Sequence, residues 1–248
     1  GAGDRSVATV QGARRRFRCG DQRGAIVMTS GIRSSLDVRG LASYAAAQAN
    51  AMFPDPDRIG ADALSPAAEV ALARLEHCFS HIDNKYFFDG ARAVFNHLHG
   101  DQYAMWLYLL ANELHRQGGD ASTCSKLFLL NKALHGVDAF YEVELPSVFL
   151  LVHPMGTVLG RGTYSDFFVA YQRCGVGSNN DIYPTFGKHV TLRPGSAVLG
   201  ACTIGDHCQI ATESLVLDRD LPDHTLYIGG PKTATLRRQD KPYPLWRV

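Results

Sequence analysis

Large apolar residues recur at every sixth position in the second half of the chain: Phe186, Leu192, Val198, Ile204, Ile210 and Val216. The residue two positions before each of the last five is small or of modest size: Val190, Ser196, Cys202, Cys208 and Ser214. An α-helix repeats every 3.6 residues and a strand every two, so neither element alone produces this double pattern. A chain wound as short strands separated by corners does produce it. These hexads therefore predict a parallel β-helix, and chance alternation in an ordinary strand-rich domain is the weaker alternative.

The same six-residue period extends upstream through Val152, Val158, Tyr164, Ala170 and Val176. The next large residue, Phe186, follows Val176 at a distance of ten, which is six plus four. The gap predicts a four-residue insertion around residues 178–183, where Gly, Ser and Asn favour a protruding loop. Because solenoids often carry such loops on their binding face, this is the first place to look for function.

The first half of the chain favours helices instead of strands. Helical segments are predicted at residues 41–52, from Ser65 to about residue 82, at about 102–117 and at about 122–134. Ser65 followed by Pro66 is typical of an N-cap and a first helical position. Gly118 and Gly136 are typical of helix ends. A helical block would also cover the open edge that a β-helix leaves at its end.

These patterns predict an α+β protein in two parts. We expect a flexible N-terminal segment at residues 1–40, a helical domain at 41–137, a β-helix at 138–231 and a C-terminal tail at 232–248. The basic run at residues 14–18 is interpreted as a solvated arm in preference to a binding site.

Composition narrows the class of protein further. The chain has 248 residues, 46% of them hydrophobic and 20% charged, and its formal net charge is +1. A near-zero charge gives no reason to expect nucleic acid or an anionic membrane as a partner. No apolar run approaches the ~18 residues of a membrane span, and the first residues do not look like a signal peptide. The six cysteines form no CxxC pair, so we expect no zinc or redox motif and a cytoplasmic protein.

His153 and Asp138 are the first candidates for acid–base chemistry. They are 15 residues apart, which is close to one β-helix coil of about 18 residues. Asp138 could therefore return beside His153. A carboxylate that holds one tautomer of a histidine makes the ring a better general base. The alternative is that His153 is an ordinary surface histidine.

Residues 97–231 resemble the serine acetyltransferase branch of the hexapeptide-repeat acyltransferases. The resemblance rests on the helical first half, the hexads, the spacing of Asp138 and His153, and three segments: His153-Pro154-Met155-Gly156-Thr157-Val158-Leu159-Gly160, Asp181-Ile182-Tyr183-Pro184 and Gly229-Gly230-Pro231-Lys232. It implies a left-handed β-helix, a homotrimer or a dimer of trimers, and acetyl-CoA as co-substrate without a metal. His153 would be the general base, and Asp138 would orient it.

The resemblance also implies where acetyl-CoA binds. Its pantetheine arm would run along the coils between Ser196 and Ile210, in contact with backbone N–H groups and glycine turns. The residues expected to contact acetyl-CoA are Gly177, Ser196, Ala197, Gly200, Ala201, Gly205 and Lys232.

The acceptor site departs from the family pattern. Val152 stands where serine-specific members have Asp, and Ile182-Tyr183 stand where they have Arg-His. Apolar side chains cannot pair with the ammonium and carboxylate of an amino acid, and an unpaired buried charge costs several kcal/mol, on the order of 3–5. The residues expected to bind the acceptor are Tyr183, Glu142, Glu144, Asp101 and Arg173. Glu142 and Glu144 could equally be solvated, and Asp101 could equally be a helix N-cap.

The sequence therefore predicts an O-acyltransferase that moves an acetyl group from acetyl-CoA to the hydroxyl of serine or a related small amino acid. One alternative acceptor is a hydroxyl or amine of a sugar or secondary metabolite, with acetyl or another acyl donor. A non-catalytic β-helix scaffold is a further alternative. A carbonic-anhydrase-like metal site is disfavoured because His153 lies far along the chain from His189 and His207. In the family that the chain resembles, cysteine synthase binds a C-terminal tail that ends in Ile. This sequence ends in Val248, so we expect no such complex.

Overall fold

The computed structural model describes residues 27–29, 31–240 and 244–247 of the chain. The basic run at residues 14–18 lies outside the described residues. Residues 31–40, which belong to the predicted flexible segment, include a strand and the start of a helix. The strand is the middle one of a small sheet with the order β1 Val27–Thr29, β2 Ile32–Ser34 and β3 Val94–Phe95.

Four helices precede the solenoid in the described part of the chain: α1 Val38–Met52, α2 Ala61–Ser80, α3 Gly100–Arg116 and α4 Ala121–His135. Helix α3 packs between α2 and α4 and is buried from Gln102 to Leu114. The Asp120 carboxylate caps α4 by accepting a hydrogen bond from the Thr123 N–H at 2.8 Å. As predicted, Gly136 ends α4, and its φ of 67° is a left-handed conformation that glycine adopts without strain.

The predicted start of α2 is wrong. The helix begins after Gly60, so Ser65 and Pro66 lie inside it. The Ser65 hydroxyl donates back to the carbonyl of Ala61 at 2.9 Å and does not cap the helix. Because Pro66 lies near the N-terminal end, its missing N–H removes one intrahelical hydrogen bond while the rest of the helix keeps its bonds.

The second half of the chain is a solenoid of parallel strands. Its strands are β4 Val137–Asp138, β5 Phe149–Val152, β6 Thr157–Leu159, β7 Phe168–Tyr171, β8 Gly175–Gly177, β9 Thr185–Phe186, β10 Thr191–Leu192, β11 Ala197–Leu199, β12 Thr203–Ile204, β13 Gln209–Ile210, β14 Leu215–Leu217, β15 Thr225–Ile228 and β16 Thr235–Arg238. They stack as three sheets with the orders β5-β7-β10-β13-β15, β4-β6-β8-β11-β14 and β9-β12, and β16 pairs antiparallel with β15. The predicted helical domain followed by a parallel β-helix is confirmed.

The hexads form the interior of the solenoid. All six large residues of the series from Phe186 to Val216 are at most 1% exposed. The five smaller residues that precede them are buried as well, including Cys202 and Cys208. Thr191 pairs with Gln209, so the regular coil takes 18 residues and places each large residue over the one three hexads earlier. The period of six is therefore the period of the solenoid sides, as predicted.

The upstream series is wrong at its first two members. Val158 is 45% exposed and Val152 is half-buried, whereas Leu151 and Leu159 point into the interior. Leu151 and Leu159 are eight positions apart and not six. The two additional residues enlarge the corner at residues 153–156, and the strict period of six begins only at Tyr164. The predicted insertion is present as a loop between β8 and β9.

Four aromatic rings stack along one corner of the solenoid, and we call them the corner ladder: Phe167, His189, His207 and His224. Successive ring centroids are 4.2, 4.5 and 4.8 Å apart, and the ring planes are within 8° of parallel. All four residues have positive φ values between 58° and 68°, so each coil turns this corner in the same way. Burial lowers the pKa of His189, and the neighbouring His207 lowers this pKa further.

Gly205→Ala is expected to destabilise the solenoid by about 1–3 kcal/mol. A Cβ atom at this position would lie 2.4 Å from Asp223 Oδ1 and 2.6 Å from the backbone nitrogen of Asp223, which belongs to the next coil. The midpoint of urea unfolding measures the loss. Gly175→Ala is the matched control, because the nearest atom to its new Cβ would be Ala197 Cβ at 3.4 Å. Equal losses from the two substitutions would contradict this prediction.

None of the helices in the described ranges is long and apolar enough to cross a membrane. Within the same ranges, no group of three or more His, Cys, Asp or Glu side chains has an arrangement that could hold a metal ion.

Candidate active site

His153 lies on the enlarged corner after β5, where the solenoid meets the start of α3. Its φ of 47° turns the side chain outward, and that side chain is 79% exposed. Asp101 in the first turn of α3 holds this corner. Its Oδ2 atom accepts a hydrogen bond from the His153 backbone N–H at 3.1 Å and lies 3.5 Å from His153 Nδ1. The carboxylate thus contacts both the backbone and the ring of the same histidine.

Asp101 does not act as the N-cap of α3, which was the alternative interpretation of this residue. The capping position is His99, and no side chain caps the helix. The Asp101 side chain is 16% exposed and is directed to His153, 52 residues further along the chain. A half-buried carboxylate beside an exposed imidazole is an arrangement suited to proton transfer.

The predicted partner of His153 was Asp138, and the structure gives Asp138 a different partner. Its Oδ2 atom pairs with Lys132 Nζ at 2.6 Å. Strand β4 pairs with β6 so that Asp138 lies opposite Val158, 20 residues later. The first coil is therefore longer than the 15-residue separation on which the prediction depended, because of the enlarged corner and the connection between β4 and β5. In this structure the carboxylate beside His153 comes from the helical domain.

A cavity of about 480 Å³ opens beside His153. It is formed by the start of α3, the end of α4, the enlarged corner and the turn after β7. Its lining residues are Gly100, Asp101, Leu134, His135, His153, Pro154, Met155 and Gln172. The imidazole–carboxylate pair therefore faces a space that could hold a small molecule.

Two polar residues of this cavity were not recognised in the sequence. The ring of His135 is half-buried at the end of α4, and its Nδ1 atom is 2.8 Å from Asn131 Oδ1. Burial lowers the pKa of His135, and the negative charge of Asp101 partly opposes this effect. Gln172 has a buried side-chain oxygen without a hydrogen-bond partner in the described part of the chain. The spacing of Asn131 and His135, one helical turn apart, was the available sequence signal for the first of these.

The other four residues predicted to bind the acceptor do not line the cavity. Glu142 is 3.5 Å from Arg161, and Glu144 accepts a hydrogen bond from Asn112 at 3.3 Å. Arg173 pairs with Glu213. Tyr183 lies in the inserted loop and is exposed. The structure therefore brings Asp101 to His153 and leaves the remaining four elsewhere on the surface.

Most of the backbone N–H groups in the region predicted to contact acetyl-CoA form hydrogen bonds within the chain. The N–H groups of Ala197, Gly200 and Gly205 donate to the carbonyls of Ser214, Gly177 and Leu221, and that of Ala201 donates to Asp218. Ser196 is fully buried, and its N–H donates to the Arg193 carbonyl. Gly177 lies in β8, and Lys232 is exposed after β15. These N–H groups therefore already have acceptors in the chain, and a ligand that lies along these coils would contact other atoms.

Four helices followed by a parallel solenoid with six-residue sides place the chain in the class of β-solenoid proteins with a helical first half. Within this class the chain is similar to serine acetyltransferases. It is 28% identical to the serine acetyltransferase of Helicobacter pylori over 142 residues, which covers 55% of this chain and 82% of that protein. It is 26% identical to the serine acetyltransferase of Staphylococcus xylosus over 149 residues, covering 52% of this chain and 61% of that protein. The chain matches none of the protein-family models with which it was compared.

Solved structures extend the likeness to the whole architecture. The serine acetyltransferase of Brucella abortus aligns with a TM-score of 0.63 at 19% identity, over 83% of this chain and 85% of that one. The same enzyme in complex with coenzyme A also aligns with a TM-score of 0.63, at 18% identity over 83% and 84%. Serine acetyltransferase of Neisseria gonorrhoeae in complex with serine aligns with a TM-score of 0.60, at 20% identity over 79% and 83%. The shared fold is established, and the predicted resemblance is confirmed.

Proposed function

We propose that this chain is an acyl-CoA-dependent acyltransferase that moves an acetyl group from acetyl-CoA to a small-molecule acceptor, with His153 as its general base. The observation that carries the proposal is the contact between Asp101 and His153 at the mouth of the cavity. Support also comes from the serine acetyltransferases to which the chain is similar in sequence and fold, one of which binds coenzyme A.

The chemistry follows from the geometry of this pair. In the proposed reaction Asp101 would accept a hydrogen bond from Nδ1–H of His153, which would place the lone pair of the neutral ring on Nε2. Nε2 takes the proton of the acceptor hydroxyl as the hydroxyl oxygen attacks the thioester carbonyl carbon. The carbon–sulfur bond then breaks, and the imidazolium returns its proton to the leaving thiolate of coenzyme A. The 3.5 Å separation of Nδ1 and Oδ2 is longer than a hydrogen bond, and catalytic contacts that are long without substrate often tighten when substrate binds.

Serine or a related small amino acid is the acceptor that the relatives favour, since they are serine acetyltransferases and one was solved with serine. A second candidate is an acceptor without a carboxylate, such as an amino sugar or amino alcohol. The specific observation in its favour is that the cavity lining contains Asp101 but no Lys or Arg among the described residues. An amino acid carboxylate placed deep in this cavity would be unpaired.

The resemblance to serine acetyltransferases also supports a proposal for the oligomeric state and the cellular compartment. We propose a homotrimer or a dimer of trimers in the cytoplasm. Acetyl-CoA would lie along the coils from Gly177 to Gly205, with the exposed Lys232 near its phosphate groups, where a cation would be favourable.

Thiol release from acetyl-CoA tests the proposed function. The purified chain is mixed with acetyl-CoA and separately with serine, homoserine, threonine, glucosamine and serinol, and free thiol is measured over time. We expect acceptor-dependent release with at least one of them, above the release without any acceptor. Coenzyme A added before the reaction should compete with acetyl-CoA. No release with any acceptor, together with no binding of acetyl-CoA, would contradict the proposal and favour a non-catalytic scaffold.

A further inference from the structure

The cavity contains a second imidazole that the mechanism above does not use. Building on the proposed acyl transfer, we propose that His135 is a substrate-binding residue whose Nε2 atom accepts a hydrogen bond from the ammonium or a hydroxyl group of the acceptor. Gln172 Oε1 and the Asp101 carboxylate would accept further hydrogen bonds from the same group. The ammonium and hydroxyl groups of the acceptor, which are its hydrogen-bond donors, would thus lie inside the cavity. Any carboxylate of the acceptor would remain outside the cavity.

The hydrogen bonds around His135 determine its tautomer. The Nδ2 amide group of Asn131 donates to the Ala104 carbonyl at 2.9 Å, so Asn131 Oδ1 faces the ring of His135. A carbonyl oxygen can only accept, so His135 Nδ1 must carry the proton in this 2.8 Å contact. The lone pair of the neutral ring is then on Nε2. Asn131 is buried within the fold, so this orientation does not depend on a ligand.

The surroundings of His135 keep its ring in the accepting form. The ring is partly buried and lies edge-on to Tyr103 at 5.7 Å between centroids. Burial lowers the pKa of His135, and the opposing effect of Asp101 is the smaller of the two. No described residue forms a hydrogen bond with Nε2, although the ring lines the cavity. This nitrogen is therefore available to a ligand as an acceptor.

Gln172 supplies an independent observation in the same cavity. Its Oε1 atom is buried and has no hydrogen-bond partner within the described ranges. A buried acceptor without a partner is unfavourable in a folded protein, and a donor on a bound molecule would remove that penalty. His135, Gln172 and Asp101 thus line one cavity, and each of the three side chains carries an accepting group. An ammonium group with three donors has the complementary chemistry.

Calorimetric titration with two matched probes tests this inference. Serinol keeps the ammonium and hydroxyl groups of serine and lacks its carboxylate, whereas glycerate keeps the carboxylate and lacks the ammonium. We expect serinol to bind and glycerate to bind at least tenfold more weakly. His135→Leu should weaken serinol binding about tenfold, the usual effect of losing one hydrogen bond to a charged group. His135→Gln, whose amide can replace Nε2 as an acceptor, should restore most of the affinity.

Two controls separate this role from a structural one. His77→Leu removes an exposed imidazole of α2 outside this cavity and should leave serinol binding unchanged. Long-range ¹H–¹⁵N spectra of the unsubstituted chain at neutral pH should show His135 as the neutral form protonated on Nδ1. The opposite tautomer or an imidazolium would overturn the inference, even if His135→Leu fails to fold. Equal serinol binding by His135→Leu, absent serinol binding, or tighter binding of glycerate would overturn it as well.

Thiol release distinguishes the failure of this inference from that of the proposed function. If serinol binding depends on His135 but no acceptor releases thiol, the binding role stands and the proposed reaction fails. If His135→Leu releases thiol with an unchanged KM for the acceptor, the reaction stands and the role of His135 fails.

Discussion

Replacing His153 with Ala is expected to lower kcat for acetyl transfer by a factor of about 10²–10⁴, the usual contribution of a general base. The side chain is 79% exposed, so its loss removes little packing and the chain should keep its fold. The KM for acetyl-CoA should change little, because His153 acts on the acceptor hydroxyl. Steady-state thiol release with saturating acetyl-CoA measures both constants, and circular dichroism verifies the fold.

Substitution of the two candidate carboxylates shows which of them assists His153. Asp101→Asn keeps the shape of the side chain and removes its charge, so we expect kcat to fall by about 10–100-fold. Asp138→Asn should cause a smaller loss, because Asp138 pairs with Lys132 near the end of α4. A fully active Asp101→Asn variant beside an inactive Asp138→Asn variant would contradict the assignment of Asp101 and restore the pairing that the sequence spacing predicts.

Phe186→Ala is expected to destabilise the chain by about 3–5 kcal/mol, the typical cost of removing a buried aromatic ring. The ring is completely buried where three coils meet. It stacks on Tyr164 at 5.3 Å and 11°, contacts the Phe168 ring at 5.3 Å, and lies over Ile204 of the next coil. The narrow interior cannot close around the missing ring, because each coil is fixed by hydrogen bonds to its neighbours. The free energy of unfolding from urea denaturation measures the loss.

The residue before Phe186 provides the control for this substitution. Thr185 belongs to the same short strand, and its side chain points outward. Thr185→Ala keeps the coil-to-coil bond from its backbone N–H to the Cys202 carbonyl and should cost less than about 1 kcal/mol. If both substitutions cost the same, the interior packing of the hexads would not be the main source of solenoid stability.

The solenoid could be predicted from the sequence because one local period specifies its geometry. Every sixth side chain from Phe186 to Val216 must fill the interior. The six-residue pattern in the sequence therefore determines directly which side chains point inward and how long each side of the solenoid is. The enlarged corner at residues 153–156 could not be predicted in this way. Near that corner Leu151 and Val152, and likewise Val158 and Leu159, are neighbouring apolar residues, and the period alone cannot decide which of each pair points inward.

The candidate site was predicted only in part, because it is assembled from distant segments. His153 could be selected from its place next to a break in the hexads. Its contact with Asp101 depends on how α3 packs against the solenoid, and no spacing within the repeat encodes that arrangement. His135 enters the cavity for the same reason, at the end of a helix whose position is determined by tertiary packing.

The corner ladder gives one edge of the solenoid a particular sensitivity to acid. His189 has a lowered pKa, so the folded chain binds a proton there less readily than the unfolded chain, whose histidines titrate near 6.5. Its contribution to stability is therefore complete above about pH 6.5 and declines as the pH falls below that value. The ring of His189 is stacked between those of Phe167 and His207, so a proton on His189 places a charge between two coils. Acidification would thus weaken the contact between the coil of His189 and the coils on either side of it.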